Sequence, residues 1–132
     1  DLKGQEISLN GHRGKYVLLV FWASWCPHCN EILPKIHEVY SRTGHSAWQV
    51  ITFAIDEKAG DAKKLIQEKG YTWISVADGK GWDTPAALSY GIAATPTFVF
   101  VGPDGNILAK PSTFYEISAL LTEYGLAGKT GN

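Results

Sequence analysis

Apolar positions fall into two alternating periods along this chain. Tyr16-Val17-Leu18-Leu19-Val20-Phe21-Trp22 is an unbroken aliphatic and aromatic run, the form a strand takes when both of its faces are buried. From Cys26 the period becomes helical, with Cys29, Leu33, Ile36 and Tyr40 recurring on one face. Pro27 suits the first helical turn, where its missing N–H costs nothing, whereas Pro34 falls inside the helix and is expected to kink it. Trp48 to Ile55 reads as a second buried strand, followed by a surface helix from Asp61 to Lys69 with Ala62, Leu65 and Ile66 inward and Gly70 ending it.

Beyond it, Trp73-Ile74-Ser75-Val76 is strand-like, and the stretch from Ala77 to Asp83, with Gly79 and Gly81, reads as a loop. A short helix from Thr84 to Tyr90 follows, with Pro85 in its first turn. Thr95 to Val101 and Ile107 to Lys110 flank the turn tetrad Gly102-Pro103-Asp104-Gly105 and are expected to pair as an antiparallel hairpin. A last helix spans Thr113 to Tyr124, and residues 125–132 are expected to fray. Near the start, Gln5 to Leu9 is a short candidate strand, and His12 to Lys15 a polar turn. The order βαβα, hairpin, α describes an α/β sandwich, a mixed sheet flanked by helices, in one domain over residues 1–132.

Composition narrows the classes of partner. The 132 residues are 45% hydrophobic with a net charge of -1, as in one soluble globular domain. Nucleic acid and acidic membrane surfaces favour concentrated Lys and Arg, which this balance does not supply. The longest apolar run, Tyr16 to Ala23, is far short of the roughly 20 residues a spanning helix needs. The chain begins at Asp1 and contains no Met, and it reads as a mature or excised domain whose signal peptide or membrane anchor, if any, lies outside it.

The candidate chemistry sits at the first strand-to-helix junction. The two cysteines of the chain are three apart in Trp25-Cys26-Pro27-His28-Cys29, a Cys-x-x-Cys pair beside a βαβ pattern, which reads as a redox site. Cys26, entering the helix, sits where free N–H groups and the helix dipole favour a thiolate, so it is the expected nucleophile. Cys29, one turn deeper, is the expected resolving thiol. A purely structural disulfide would close too short a loop to restrict the unfolded chain much. A zinc or copper(I) site is the rival reading, with the same two thiolates as half of the ligand set. His12, His28, His37 and His45 do not supply the other half at the usual spacing.

These motifs resemble the thioredoxin superfamily, and within it the TlpA-like extracytoplasmic thiol-disulfide oxidoreductases. The resemblance is carried by Phe21 through Cys29 with Pro34, by Phe53-Ala54-Ile55-Asp56, and by Tyr90 through Phe98 followed by the Gly102–Gly105 turn. It implies a thioredoxin-like three-layer sandwich, with the helix and strand between Asp56 and Trp82 as a TlpA-like central insertion. It also implies a cis Pro96 beside the redox loop, with Thr95, Pro96 and the rim residue Trp25 contacting substrate, and Trp22 packed beneath. Trp73, Trp82 and Tyr90 are expected to anchor core or loop. Pro27 and His28 would tune the couple. The Pro-His dipeptide also occurs in DsbA, a strong oxidant, because stabilising the reduced form raises the potential. The expected partners are protein thiols or disulfides and a redox partner protein, outside the cytoplasm, with the domain a monomer and no bound cofactor. Reduction is favoured over oxidation. A peroxidase of the related peroxiredoxin group would need a Pro-x-x-x-Thr-x-x-Cys context, which is absent.

Two positions depart from the family. The buried Asp that often lies six residues before the first Cys is Val20 here, and the Glu that often lies three residues after the second is Ile32. Glu31 is about 100° away around the helix. With Asp56 the other candidate, water is expected to carry the resolving thiol's proton, and exchange at Cys29 to be slower for it.

Overall fold

β1 (Tyr16–Trp22) is the middle strand of a five-stranded sheet in the computed structural model, which describes residues 14–43 and 46–126. Its residues from Val17 to Trp22 are all buried, as the unbroken apolar run requires of a strand covered on both faces. On one side it pairs in parallel with β2 (Trp48–Ala54), and on the other it pairs antiparallel with β4 (Thr97–Val101). A parallel neighbour needs a long crossover, which α1 (Pro27–Arg42) provides between β1 and β2. A second crossover through α2 (Ala59–Lys69) adds β3 (Ile74–Ala77) in parallel beyond β2, and β5 (Ile107–Ala109) closes the other side as a hairpin with β4. The strand order is β3-β2-β1-β4-β5. The insertion expected between Asp56 and Trp82 therefore contributes an edge strand.

α1 buries Cys29, Ile32, Leu33, Ile36, Val39 and Tyr40, a wider stripe than the four positions read from the sequence. It runs through Pro34 as one helix. α3 (Pro85–Ser89) has Pro85 in its first turn, and α4 (Phe114–Glu123) is capped by Thr113, whose hydroxyl accepts the Glu116 N–H at 3.1 Å.

Several boundaries move. α2 begins at Ala59, two residues before the expected start at Asp61, whose carboxylate lies in the first turn at the positive end of the helix. Leu65 in that helix is half-buried and packs against the core beside the buried Ala62 and Ile66. Part of the stretch read as a loop is ordered, with Ala77 in β3 and Gly81–Asp83 in a 3-10 turn. β4 starts at Thr97 and not at Thr95. Leu126, in the tail expected to fray, is buried, while Gly125 before it is exposed. Gly125 takes φ +70°, which lets the Leu126 N–H return to the Leu121 carbonyl at 2.7 Å and seats Leu126 in the core. The candidate strand Gln5 to Leu9, the start of the polar turn and residues 127–132 lie outside the described residues.

One end of the sheet gathers the chemistry. Phe21, near the end of β1, lies opposite Phe53 of β2 and Thr97 of β4. The chain leaving β1 towards Cys26, the chain leaving β2 towards Asp56, and the Thr95-Pro96 approach to β4 consequently meet at the same edge.

Candidate active site

Cys26 is the N-cap of α1, with extended backbone (φ -90°, ψ 111°) and Pro27 as the first helical residue. Its Sγ accepts the Cys29 N–H at 3.1 Å, so sulfur fills the place that a Ser or Asp oxygen takes in ordinary capping. No acidic residue occupies the first turn of α1, leaving the exposed N–H groups and the helix dipole to favour a thiolate. Cys26 and Cys29 form a disulfide, with their Cα atoms 5.2 Å apart. Cys29 is fully buried, and Cys26 is only 4% exposed in this form. What solvent meets is the surround: Trp25 at 58% exposure, with Pro27 and His28 beside it. Trp22 is fully buried beneath.

The loop before Cys26 is fixed by side chains from two other elements. Buried Asp56 accepts the Ser24 N–H at 3.0 Å and also the Ser24 hydroxyl. From the other side, Asn30 Nδ2 donates to the carbonyls of Ser24 at 3.0 Å and Cys26 at 3.2 Å. Asp56 entered the sequence reading as the end of a family motif and as a candidate proton relay, and here its oxygens bind Ser24. Asn30 was not singled out, although an Asn within the second turn of a helix is a poor helix former and so a signal of some other use. Val20 and Ile32, at the two positions where relatives often carry an acid, are core residues. Glu31 is exposed, lining a shallow cleft with His28, Ile32, Lys35, Thr113 and Phe114.

Thr95 and Pro96 are half-buried at the same sheet end, joined by a cis peptide bond. Trp73 is a core residue and Tyr90 packs half-buried on Phe21, with ring centroids 5.9 Å apart, whereas Trp82 is 40% exposed. His37 lies well along α1 among Tyr71 and Trp73, its Nε2 accepting the Thr72 N–H at 3.0 Å. Burial lowers its pKa from the ordinary 6.5. Among the described residues, no three His, Cys, Asp or Glu side chains converge on a point where a metal could sit. His12 and His45 lie outside those residues.

Comparison with known proteins gives this geometry a lineage. Residues 1–110 match the profile of the AhpC/TSA family. The chain belongs to the AhpC/TSA family, whose members here are thioredoxin-like. Among relatives within reach of this AhpC/TSA chain is the thiol-disulfide oxidoreductase ResA of Bacillus thuringiensis (strain Al Hakam), 30% identical over 110 residues. That alignment covers 83% of this chain and 62% of ResA, so the chain spans less than two thirds of the curated relatives it matches. Of solved structures, the thioredoxin domain of a thiol-disulfide oxidoreductase from Bacteroides vulgatus superposes with a TM-score of 0.83 at 30% identity, covering 94% of this chain and 89% of that one. A thiol:disulfide interchange protein from Bacteroides sp. gives 0.81 at 27%, covering 99% and 86%. The five-stranded mixed sheet flanked by helices is thus the thioredoxin-like fold.

Proposed function

We propose that this domain is a thiol-disulfide oxidoreductase that exchanges disulfides with protein thiols through Cys26 and Cys29, working as a reductase. The observation that carries the reading is the capping sulfur, Cys26 Sγ on the Cys29 N–H at 3.1 Å, with Cys29 in disulfide reach. In the reduced enzyme the Cys26 thiolate attacks one sulfur of a client disulfide, forming a mixed disulfide and releasing one client thiolate. Cys29, once its proton has left to water, attacks Cys26 Sγ and expels the second client thiolate. The client leaves with two electrons and the enzyme keeps a Cys26–Cys29 disulfide, which a partner protein must reduce. The names of the relatives support this chemistry.

Trp25, exposed beside Cys26, with Thr95 and Pro96 at the same sheet end, would border the client segment. The setting is taken to be extracytoplasmic, with any membrane anchor outside these residues and the domain acting as a monomer. Pro27 and His28 tune the couple. A polar ring in the first turn beside Cys26 favours the thiolate, so His28→Ala should make the domain more reducing when equilibrated with glutathione. An unchanged equilibrium would remove His28 from that role.

Insulin reduction driven by dithiothreitol tests the main reading. The wild-type domain should accelerate it, and Cys26→Ser and Cys29→Ser should each abolish the acceleration. Tight stoichiometric zinc or copper(I) binding without insulin reduction, or peroxide consumption in its place, would overturn it.

A further inference from the structure

The segment that presents Cys26 is gripped on both edges of its backbone, and the two grips differ in kind. Asp56 takes the Ser24 N–H and hydroxyl. Asn30 takes the carbonyls, donating from Nδ2 to Ser24 and to Cys26 itself. The Cys26 carbonyl also receives the Asn30 backbone N–H at 3.2 Å, so one residue binds it twice. That carbonyl belongs to the peptide following the N-cap Cα, and its direction fixes the ψ of Cys26, here 111°.

Residue 30 is an unfavourable choice for stability alone. Asn is a weak helix former, and its Oδ1 is buried without a partner, which carries a desolvation penalty. The carbonyl contacts are what the side chain contributes in return. They matter most when the disulfide opens. While Cys26 is bonded to Cys29, the covalent bridge keeps Sγ over the first turn. After reduction nothing covalent does so, and the benefit of a helix terminus fades within its first turn.

We propose that Asn30 is a positioning residue for the exchange reaction, gripping the Ser24 and Cys26 carbonyls so that the Cys26 thiolate stays on the N-terminus of α1 once the disulfide is broken. The role rests on the exchange activity proposed above. Asn30 acts through geometry, since its carboxamide carries no charge and its Nδ2 is taken up by the two carbonyls.

The test uses Asn30→Ala and Asn30→Leu, both better helix formers that remove the donors, Leu keeping most of the volume. In a Cys29→Ser background the Cys26 thiol is titrated by its thiolate absorbance, and in the two-cysteine protein the disulfide is equilibrated with glutathione. Both variants should lower the thiolate fraction at neutral pH by about two- to fivefold, the size of a first-turn helix interaction. Both should shift the glutathione equilibrium towards the disulfide, while the oxidised proteins melt no lower than wild type. Titration and equilibrium matching wild type in both variants would overturn the proposal while wild-type insulin reduction still stands. A wild-type domain that neither reduces insulin nor equilibrates with glutathione would overturn the exchange activity and this role together.

Discussion

His37 shows how a single side chain can carry a pH dependence away from the redox pair. Its Nε2 accepts the Thr72 N–H at 3.0 Å, so the folded state requires the neutral ring. Burial lowers its pKa below 6.5, and the unfolded chain therefore takes up the proton first as pH falls. The stabilisation is complete above the unfolded value and is lost as pH falls towards and through the folded one. Thermal melts of the oxidised domain should accordingly drop as the pH falls through 6.5 and below it. His37→Phe keeps a ring against Tyr71 and Trp73 but cannot accept from Thr72, so it should cost about 1 kcal/mol at neutral pH and flatten that drop. A variant with the same acid-side slope as wild type would show that other groups set it. In the sequence His37 was visible only as a metal-ligand candidate, because its partner Thr72 is 35 positions away.

At the scale of elements, ends decide more than middles. α1 was legible from its start, since Pro27 marks the first turn and makes Cys26 the cap, and the structure has that arrangement. The end of α4 at Tyr124 was legible too, from the Gly125 that follows it, whereas the seat of Leu126 in the core just beyond is a tertiary contact that leaves no local mark. Gly125 makes that contact possible by adopting φ +70°, a region that costs a residue with a Cβ roughly 1–2 kcal/mol. Gly125→Ala should therefore lower stability to denaturant by about 1 kcal/mol, with the slope of the unfolding curve unchanged. An unaffected midpoint would mean that Leu126 adds nothing to the fold. The loop from Ala23 to Cys26 is the converse case. Its sequence position was plain, but the grip on it was not, because Asp56 reaches Ser24 across 32 residues through the parallel pairing of β1 with β2.

Across the whole molecule, the unbroken apolar runs and the Gly102–Gly105 turn made the central strands and the hairpin readable, since burial on both faces and a tight turn each leave a local mark. The sheet order needed more than local marks. It brings the ends of β1 and β2 and the approach to β4 to one edge, which is what places Cys26, Asp56 and Thr95-Pro96 together. That assembly puts Cys26 on the helix N-terminus and Cys29 fully buried behind it, and the proposed division into nucleophile and resolver rests on this arrangement. Trapping measures this division directly. Each single Cys→Ser variant is reduced, mixed with a peptide disulfide, quenched with acid and weighed by mass spectrometry. Cys29→Ser should accumulate one peptide per domain through Cys26, while Cys26→Ser should accumulate little. Equal trapping in both variants, or faster trapping through Cys29, would contradict the account.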